Sequence, residues 1–376
     1  MKSIRTYRLG KDAGFTLVEL LVSTALIAVI SLLLVTTTNS TASAWLHTTG
    51  RIEQFRGADA AFEAITRRLS QATLNTYWDY FDVSGNAKTP SNAATFKPHH
   101  YGRQSELRFI AGTMTTGARK LLTTTTPRRP TQGVFFQAPL GYVSDAPGVT
   151  TNAARTNFSG LGNLINTWGY YVEFNRDVRP KFIDQLPNPP PLRYRYRLME
   201  LTQPSNLLTI YGTDSGSKPY NAGRKWFTDP ITPTGSDVLA PSVHAVAENV
   251  IALVLLPKLS KKEDTSGTQL AKDFFYDSAP AVPPKAVQLI TEHQLPPIVQ
   301  VTMVAIDEAS ASRIAKGATP PGFDATLDTL FTNAKEEQFA ADLETLRKTL
   351  VNAKPPISYR IFTSNVSIRG AKWSRK

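Results

Sequence analysis

The residues of this sequence with the clearest chemical meaning lie near its start, where one acid interrupts an apolar segment. Glu19 is the only charged side chain between Phe15 and Val35. A helix needs about 20 residues to cross a bilayer, and this segment is long enough. An ionisable group in lipid costs about 2.5–3.5 kcal/mol on insertion scales. A carboxylate at this depth therefore needs a cation, which a nearby free α-amino group can supply.

A short basic leader, which ends in Gly14, precedes the apolar segment. Glycine has no Cβ, so its backbone can enter a peptidase cleft in conformations that other residues avoid. The cations favour retention of the leader on the cytoplasmic side of a membrane. A secretory signal would carry its cleavage site after the apolar centre, not before it. A plain signal anchor remains an alternative, but it leaves Gly14 and Glu19 unexplained. The leader cations are Lys2, Arg5, Arg8 and Lys11.

The segment Gly14-Phe15-Thr16-Leu17-Val18-Glu19 resembles the prepilin-type cleavage and methylation signal of type IV pilins and type II secretion pseudopilins. The resemblance implies that a prepilin peptidase cuts after Gly14 and methylates the new amino terminus at Phe15. It also implies that Glu19 pairs with the terminal amine of a neighbouring subunit during filament assembly. The implied partners are the peptidase/methyltransferase, other pilin-like subunits and the bacterial inner membrane.

The distribution of proline and charge predicts one long helix. The first of the 26 prolines is Pro90, and no charged residue lies between Glu19 and Arg51. We expect a prepilin leader over 1–14, a transmembrane helix over 15–35 and an amphipathic continuation of that helix over 36–76. The apolar side of the continuation has helical spacing. Its members are Phe55, Phe62, Ile65, Leu69 and Ala72.

The remaining chain, 90–376, is predicted to be a β-rich globular domain with a helix near 324–350. Several segments alternate between apolar and polar residues, and Asn249–Leu256 is continuously apolar, as in a buried strand. We therefore predict an α+β, pilin-like fold: a long N-terminal helix packed on a mainly antiparallel β C-terminal domain. The alternating segments are Ser105–Ile110, Gly133–Phe136, Trp168–Phe174 and Leu192–Glu200, and two further predicted strands are Pro297–Ile306 and Ser358–Arg369.

The order of these segments resembles the Verru_Chthon cassette protein C family. It is more distantly similar to minor pseudopilin J of type II secretion, which has a long helix followed by two packed antiparallel sheet units. These resemblances imply a protein-secretion or pilus-like filament in which the chain is a minor component. The residues that carry the first resemblance are Leu192–Glu200, Leu295–Val299, Val304–Glu308 and Tyr359–Phe362.

We find no pattern of residues for catalysis, for a metal or for a cofactor. The chain has no cysteine, which excludes disulfides and thiolate metal sites. Its histidines are scattered, and no phosphate-binding glycine loop or nucleophile elbow occurs. The acid pair Asp307-Glu308 is expected to cap a strand, not to perform acid–base chemistry. The chain is therefore expected to be a structural subunit and not an enzyme.

Three arginines alternate along Leu192–Glu200 and could form a binding surface. Arg193, Arg195 and Arg197 are predicted to share one exposed face of a strand. With a formal net charge of +12, the chain could attract polyanions. The preferred interpretation is a soluble, charged sheet face or a protected edge, with nucleic acid not expected as a partner. A filament-displayed binding module, either an adhesin or a nucleic-acid receptor, is the alternative function.

Overall fold

The fold is described from a computed structural model that covers residues 17–143, 163–212, 223–233, 239–279, 289–314 and 317–373. At Glu19, at residues 39–54 and at Lys181 it describes the backbone alone. The chain forms two compact units, Met1–Glu53 and Gln54–Lys376. Gly14 and Phe15 lie outside the described residues.

Helix α1 runs without interruption from Leu17 to Leu69. The absence of proline before Pro90 permits this length, because proline would remove a helical hydrogen bond. Arg67 and Arg68 occupy the last turn, where positive charge is favourable beside the unpaired carbonyl groups. Helix α1 supplies residues to both compact units.

The larger sheet of the second unit has six antiparallel strands in the order β7-β6-β5-β4-β3-β9. Strands β4, β5 and β6 are almost entirely buried, because side chains cover both faces of the sheet. Its strands are β3 (Ile110–Thr113), β4 (Gln132–Pro139), β5 (Ile165–Arg176), β6 (Tyr194–Gln203), β7 (Val243–Glu248) and β9 (Tyr276–Asp277).

A second sheet has three antiparallel strands in the order β11-β10-β8. Its strands are β8 (Val250–Lys258), β10 (Ile298–Ile306) and β11 (Tyr359–Ser367). A separate antiparallel hairpin pairs β1 (Tyr77–Phe81) with β2 (His100–Gln104). The continuously apolar β8 is buried along nearly its whole length, as its composition predicts.

Short helices connect the strands, and only one further helix in the described part of the chain exceeds two turns. The helices are α2 (Lys181–Asp184), α3 (Lys225–Thr228), α4 (Glu308–Ile314), α5 (Asp324–Leu327) and α6 (Glu336–Val351). Two 3₁₀ turns cover Ser205–Leu207 and Thr209–Tyr211.

The helix predicted near 324–350 is interrupted. Helix α5 ends at Leu327 and α6 begins at Glu336. Between them, Phe331 has a left-handed backbone with φ of 57°. The carboxylate of Asp342 accepts the Phe331 backbone N–H at 2.8 Å, and the Phe331 ring is buried. This long-range bond and the left-handed residue explain why helical spacing overestimated the length of the helix.

The core of the second unit joins the second half of α1 to the sheets. Phe55, Ile65 and Leu69 of α1 are buried in a cluster that includes residues of β4, β5, β8 and β10. The rings of Phe62 and Phe362 also meet, at 5.6 Å between centroids. An apolar N-terminal helix followed by a mainly antiparallel β domain is the α+β class that the sequence predicts, and the prediction of fold class is confirmed.

Candidate functional site

The first part of α1 is an apolar span with no protein around it in the described structure. Residues Leu20–Thr38 are long and apolar enough to cross a membrane, and none of this span is buried. Large apolar side chains are exposed at successive positions, such as Leu32, Leu33 and Leu34, so they surround the helix. A helix that is apolar on all sides is stable when lipid or other helices cover it. This surface suggests membrane anchoring.

The threonine hydroxyl groups of this span are satisfied within the helix. Thr24 donates to the carbonyl oxygens of Leu20 and Leu21, each at 3.0 Å. Thr37 and Thr38 donate to the preceding turn at 2.8 and 2.7 Å. Such bonds lower the cost of placing a hydroxyl in lipid, because no polar hydrogen is left without an acceptor. The threonines are therefore compatible with an apolar surrounding.

The residues predicted for processing and assembly lie before, or just after, Leu17, the first residue that the structure describes. Gly14 and Phe15 lie outside the described residues, so their predicted roles stay predictions. Glu19 lies in the first turns of α1, two residues after its first described residue, Leu17. The structure describes only the backbone of Glu19, so its predicted pairing with the terminal amine of a neighbouring subunit stays a prediction.

The second half of α1 is attached to the large sheet by a buried polar cluster. The guanidinium of Arg68 contacts the carboxylate of Glu200 in β6 and lies 2.9 Å from the Tyr170 hydroxyl of β5. Tyr170 donates its hydroxyl hydrogen to the same carboxylate at 2.6 Å. The Arg68 guanidinium also lies over the Trp168 ring, 4.2 Å from its centroid. The cluster therefore holds the end of α1 at a defined place on β5 and β6.

The electrostatics of this cluster favour an ionised Glu200. Burial alone would raise the pKa of Glu200, but hydrogen bonds from His244 and Tyr170 and the charge of Arg68 outweigh it and lower that pKa. Burial, reinforced by the Glu200 charge, raises the pKa of Tyr170 well above its ordinary value. Tyr170 therefore stays a neutral donor, as a structural hydrogen bond requires.

The predicted exposed arginine face is wrong. Arg193 precedes β6 and its side chain is 59% exposed, but only 2% of the Arg195 side chain is exposed and Arg197 is buried. The alternation itself is present, since Tyr196 and Leu198 point into the core on the other face. The face that carries the arginines is covered by other parts of the chain. It is neither a soluble face nor a basic surface for a polyanion.

Glu308, at the start of α4, is the main counter-charge of the buried Arg195. Its carboxylate contacts the Arg195 guanidinium and accepts a hydrogen bond from the Asn249 amide at 2.8 Å. Burial opposes ionisation here, but the hydrogen bonds from Asn249 and Arg195 outweigh it and lower the pKa of Glu308. Asp307 accepts the Ser310 backbone N–H at 2.9 Å and so caps α4. Both acids of this pair have structural contacts.

The possible metal ligands in the described part of the chain are its histidines and acids, since the sequence has no cysteine. In that part of the chain no set of three His, Asp or Glu side chains is arranged to hold a metal ion. His99 and His100 are adjacent on the β1–β2 hairpin and have no acidic neighbour in a ligand arrangement.

Comparison with known proteins identifies the amino-terminal segment. Residues 9–35 match the family model of the prokaryotic N-terminal methylation motif. No curated protein and no solved structure matches the chain. The match supports a prepilin-type, pilin-like protein, and it suggests a structural subunit rather than an enzyme. The narrower resemblances to Verru_Chthon cassette protein C and minor pseudopilin J are not confirmed and stay predictions.

The polar cluster around Glu200 was missed by sequence reasoning. One signal was present: Glu200 lies between apolar residues in a segment that reads as a buried strand, Leu198–Leu201. A carboxylate in such a position requires a partner. The partner, Arg68, lies 132 residues earlier in the chain and could not be chosen from the sequence.

Proposed function

We propose that this chain is a pilin- or pseudopilin-like structural subunit that is assembled into a type IV pilus-like or type II secretion-like filament as a minor component. The observation that carries the proposal is the match of residues 9–35 to the N-terminal methylation motif. The exposed apolar span Leu20–Thr38 adds support, because lateral contact between such helices would cover it. The subunit works by assembly and not by turnover.

Processing would divide the chain at Gly14. In this proposal 1–14 is the leader removed by prepilin peptidase, and Phe15 becomes the methylated amino terminus. Residues 15–35 form the membrane helix, the rest of α1 continues it to Leu69, and the β-rich domain follows with β1 at Tyr77–Phe81 as its first strand. The chain is then a single-pass protein of the bacterial inner membrane, with its C-terminal domain in the periplasm until it enters a filament.

Glu19 would set the axial register of the subunit in the filament. In an apolar bundle its carboxylate gains most from the free amine of a neighbouring subunit's Phe15, because charge pairing is strong where water is excluded. The end of α1 is held on the β domain by the Arg68–Glu200 contact. That attachment would carry a displacement of the helix to the domain during extraction from the membrane.

The decisive experiment compares Glu19→Ala with Glu63→Ala, an exposed acid in the later part of α1. Both variants and the parent chain are expressed with sibling subunits and the peptidase. Mass spectrometry should find a methylated Phe15 terminus in all three. The Glu19→Ala chain should be missing from the sheared filament fraction, whereas the Glu63→Ala chain should be present.

Two results would contradict this function. A mature chain that still begins at Met1, or one that begins after Val35, would contradict processing at Gly14. Normal incorporation of the Glu19→Ala chain into filaments would contradict the assembly role of the carboxylate while leaving processing intact.

A filament-displayed binding module is the second candidate function, and the β1–β2 hairpin favours it. Trp78, Tyr80 and Tyr101 are each about half exposed, and their rings form one cluster. Such exposed aromatic groups are typical of recognition surfaces. Retention of the full chain on cell-wall polymer, on DNA or on sibling subunits should weaken in Trp78→Ala. Tyr211→Ala removes an exposed ring outside the hairpin and is the control.

A further inference from the structure

A cavity of about 270 Å³ lies between the β8–β10 strand pair and helix α6. Leu256 and Leu259 line it from the end of β8 and the residue after it, and Phe339 and Leu343 line it from α6. Two lysines, Lys258 and Lys261, also line the cavity, together with the acids Asp264 and Glu336. Apolar walls with a few polar groups that fix orientation are the usual construction of a small-ligand site.

Lys258 has an unusual environment for a lysine. It is the last residue of β8, and its Nζ donates to the neutral amide oxygen of Gln300 at 2.8 Å. It forms no ion pair with a carboxylate anywhere in the described part of the chain. Burial lowers the pKa of Lys258 below its ordinary value. Burial outweighs the opposing charge of Glu336, so the ammonium has lost part of its hydration without forming an ion pair in exchange.

The acids nearest to this cavity are already engaged or fully hydrated. Glu336 is 79% exposed and pairs with Lys261, 3.6 Å away and 87% exposed, at the surface. The Asp264 carboxylate accepts backbone N–H bonds from Gly267 at 2.9 Å and Gln269 at 2.8 Å, so it is turned into its own loop. Neither acid neutralises Lys258 within the cavity.

We propose that this cavity binds a small amphiphilic carboxylate, with the carboxylate on Lys258 and the apolar part among Leu256, Leu259, Phe339 and Leu343. Of the two lysines that line the cavity, only Lys258 is partly buried and without an ion pair, and one such cation fits a monovalent carboxylate better than a phosphate group, which carries more charge. The volume limits the apolar part to a short chain or one side chain. A short fatty acid and the C-terminal residue of a peptide with an apolar side chain share this chemistry.

The test uses the full chain in deuterated detergent and ligand-observed saturation-transfer NMR. Hexanoate represents the fatty acid, N-acetyl-leucine represents the peptide terminus, and hexanamide is the uncharged comparator. Hexanoate or N-acetyl-leucine should bind with a Kd at least about tenfold below that of hexanamide, because a charge-assisted hydrogen bond replaces a neutral one. A lower Kd for hexanoate would identify the ligand as a short fatty acid, and a lower Kd for N-acetyl-leucine would identify it as the C-terminal residue of a peptide.

Lys258→Met keeps the apolar stem and should raise the Kd of the carboxylate by about tenfold. Lys262→Met makes the same change in net charge at an exposed lysine that does not line the cavity, and it should leave the Kd unchanged. Ala340→Leu, on the cavity side of α6, should weaken binding by filling apolar space while Lys258 is retained. This third variant keeps the test valid if Lys258→Met does not fold.

If neither hexanoate nor N-acetyl-leucine binds more tightly than hexanamide, the proposal is overturned, since the ammonium would then make no contribution. Binding that is unchanged in Lys258→Met, or unchanged in Ala340→Leu, would place the ligand elsewhere, for example in the detergent micelle. Failure of both carboxylates to bind would also overturn it. None of these results bears on processing at Gly14 or on filament assembly.

Discussion

The guanidinium of Arg68, in the last turn of α1, contacts the buried carboxylate of Glu200 in the large sheet. Only 4% of the Glu200 side chain is exposed, compared with 25% of the Arg68 side chain. Tyr170 donates to the same carboxylate. The contact therefore combines charge neutralisation of a buried acid with attachment of a helix to a sheet.

Loss of this cation should destabilise the β domain. Arg68→Met should lower the free energy of unfolding by about 2–3 kcal/mol, somewhat less than for a fully buried pair because water reaches part of Arg68. Denaturant unfolding of the full chain in detergent, followed by tryptophan fluorescence, measures this change. Arg67→Met removes an exposed cation in the same turn and should change stability by less than about 0.5 kcal/mol.

Combining Arg68→Met with Glu200→Gln tests whether the two residues interact. The free energy of unfolding of the double variant should exceed the value expected from adding the two single effects by at least about 1 kcal/mol, since no unpaired buried charge remains. Additive effects would show that the helix is held by apolar packing alone.

The buried Arg195 leads to a second prediction. Glu308→Gln removes its main counter-charge and should lower the free energy of unfolding by about 2–4 kcal/mol, because Arg195 cannot be hydrated where it lies. Arg193→Met should change it by less than about 0.5 kcal/mol, since that side chain is exposed. Thermal unfolding of the two variants beside the parent chain would distinguish them. Equal effects would contradict the structural role of Arg195.

Gly169 in β5 should not tolerate a side chain. A Cβ at this position would overlap the Phe135 ring, with Cε1 only 2.6 Å away. Phe135 cannot move easily, because it stacks on Phe227 at 4.2 Å between centroids. Gly169→Ala should therefore destabilise the domain by about 1–3 kcal/mol. Gly322→Ala, where nothing lies within 4 Å of the new Cβ, is the control in the same unfolding assay.

His293 should make stability depend on pH. Burial, reinforced by the charge of Arg103, lowers the pKa of His293 to about 4 from its ordinary value of 6.5. Between these values the unfolded chain binds more protons than the folded one, so stability falls as the pH falls from 6.5 towards 4. At pH 4.5 this loss should reach about 2–3 kcal/mol relative to pH 7.5.

His293→Asn should remove that part of the acid sensitivity. Asparagine accepts the left-handed backbone at this position, φ 54°, and the backbone bonds to Thr76 and Ser278 can remain. The measurement is the loss of unfolding free energy between pH 7.5 and pH 4.5, and this loss is compared between the parent and the variant. Because the carboxylates titrate in both proteins, their contribution cancels, and a difference near zero would contradict a neutral buried imidazole.

The spacing of proline, apolar and polar residues along the chain was sufficient to predict much of the fold. The uninterrupted α1 follows from the absence of proline before Pro90, and the buried β8 follows from its continuous apolar run. The alternation along Leu192–Glu200 was read correctly as a strand. These features depend on side-chain period and backbone preference, which are properties of neighbouring residues.

Contacts between distant residues could not be predicted from spacing. Alternation placed Arg195 and Arg197 on one face, but whether that face meets water depends on what covers it. Glu308, the partner of Arg195, lies 113 residues further along the chain. The helix predicted near 324–350 is likewise interrupted by the bond from Phe331 to Asp342, which forms only when the chain turns back.

The sequence by itself determined the match of residues 9–35 to the N-terminal methylation motif, the isolated acid Glu19 and the apolar span that contains it, because these depend on residue type and order. The tertiary structure decided which charges are buried, that Glu308 neutralises Arg195 and that Lys258 lies partly buried beside a cavity with apolar walls. The pairing of charges is a consequence of packing between segments far apart in the chain, and spacing along the sequence does not identify the partners.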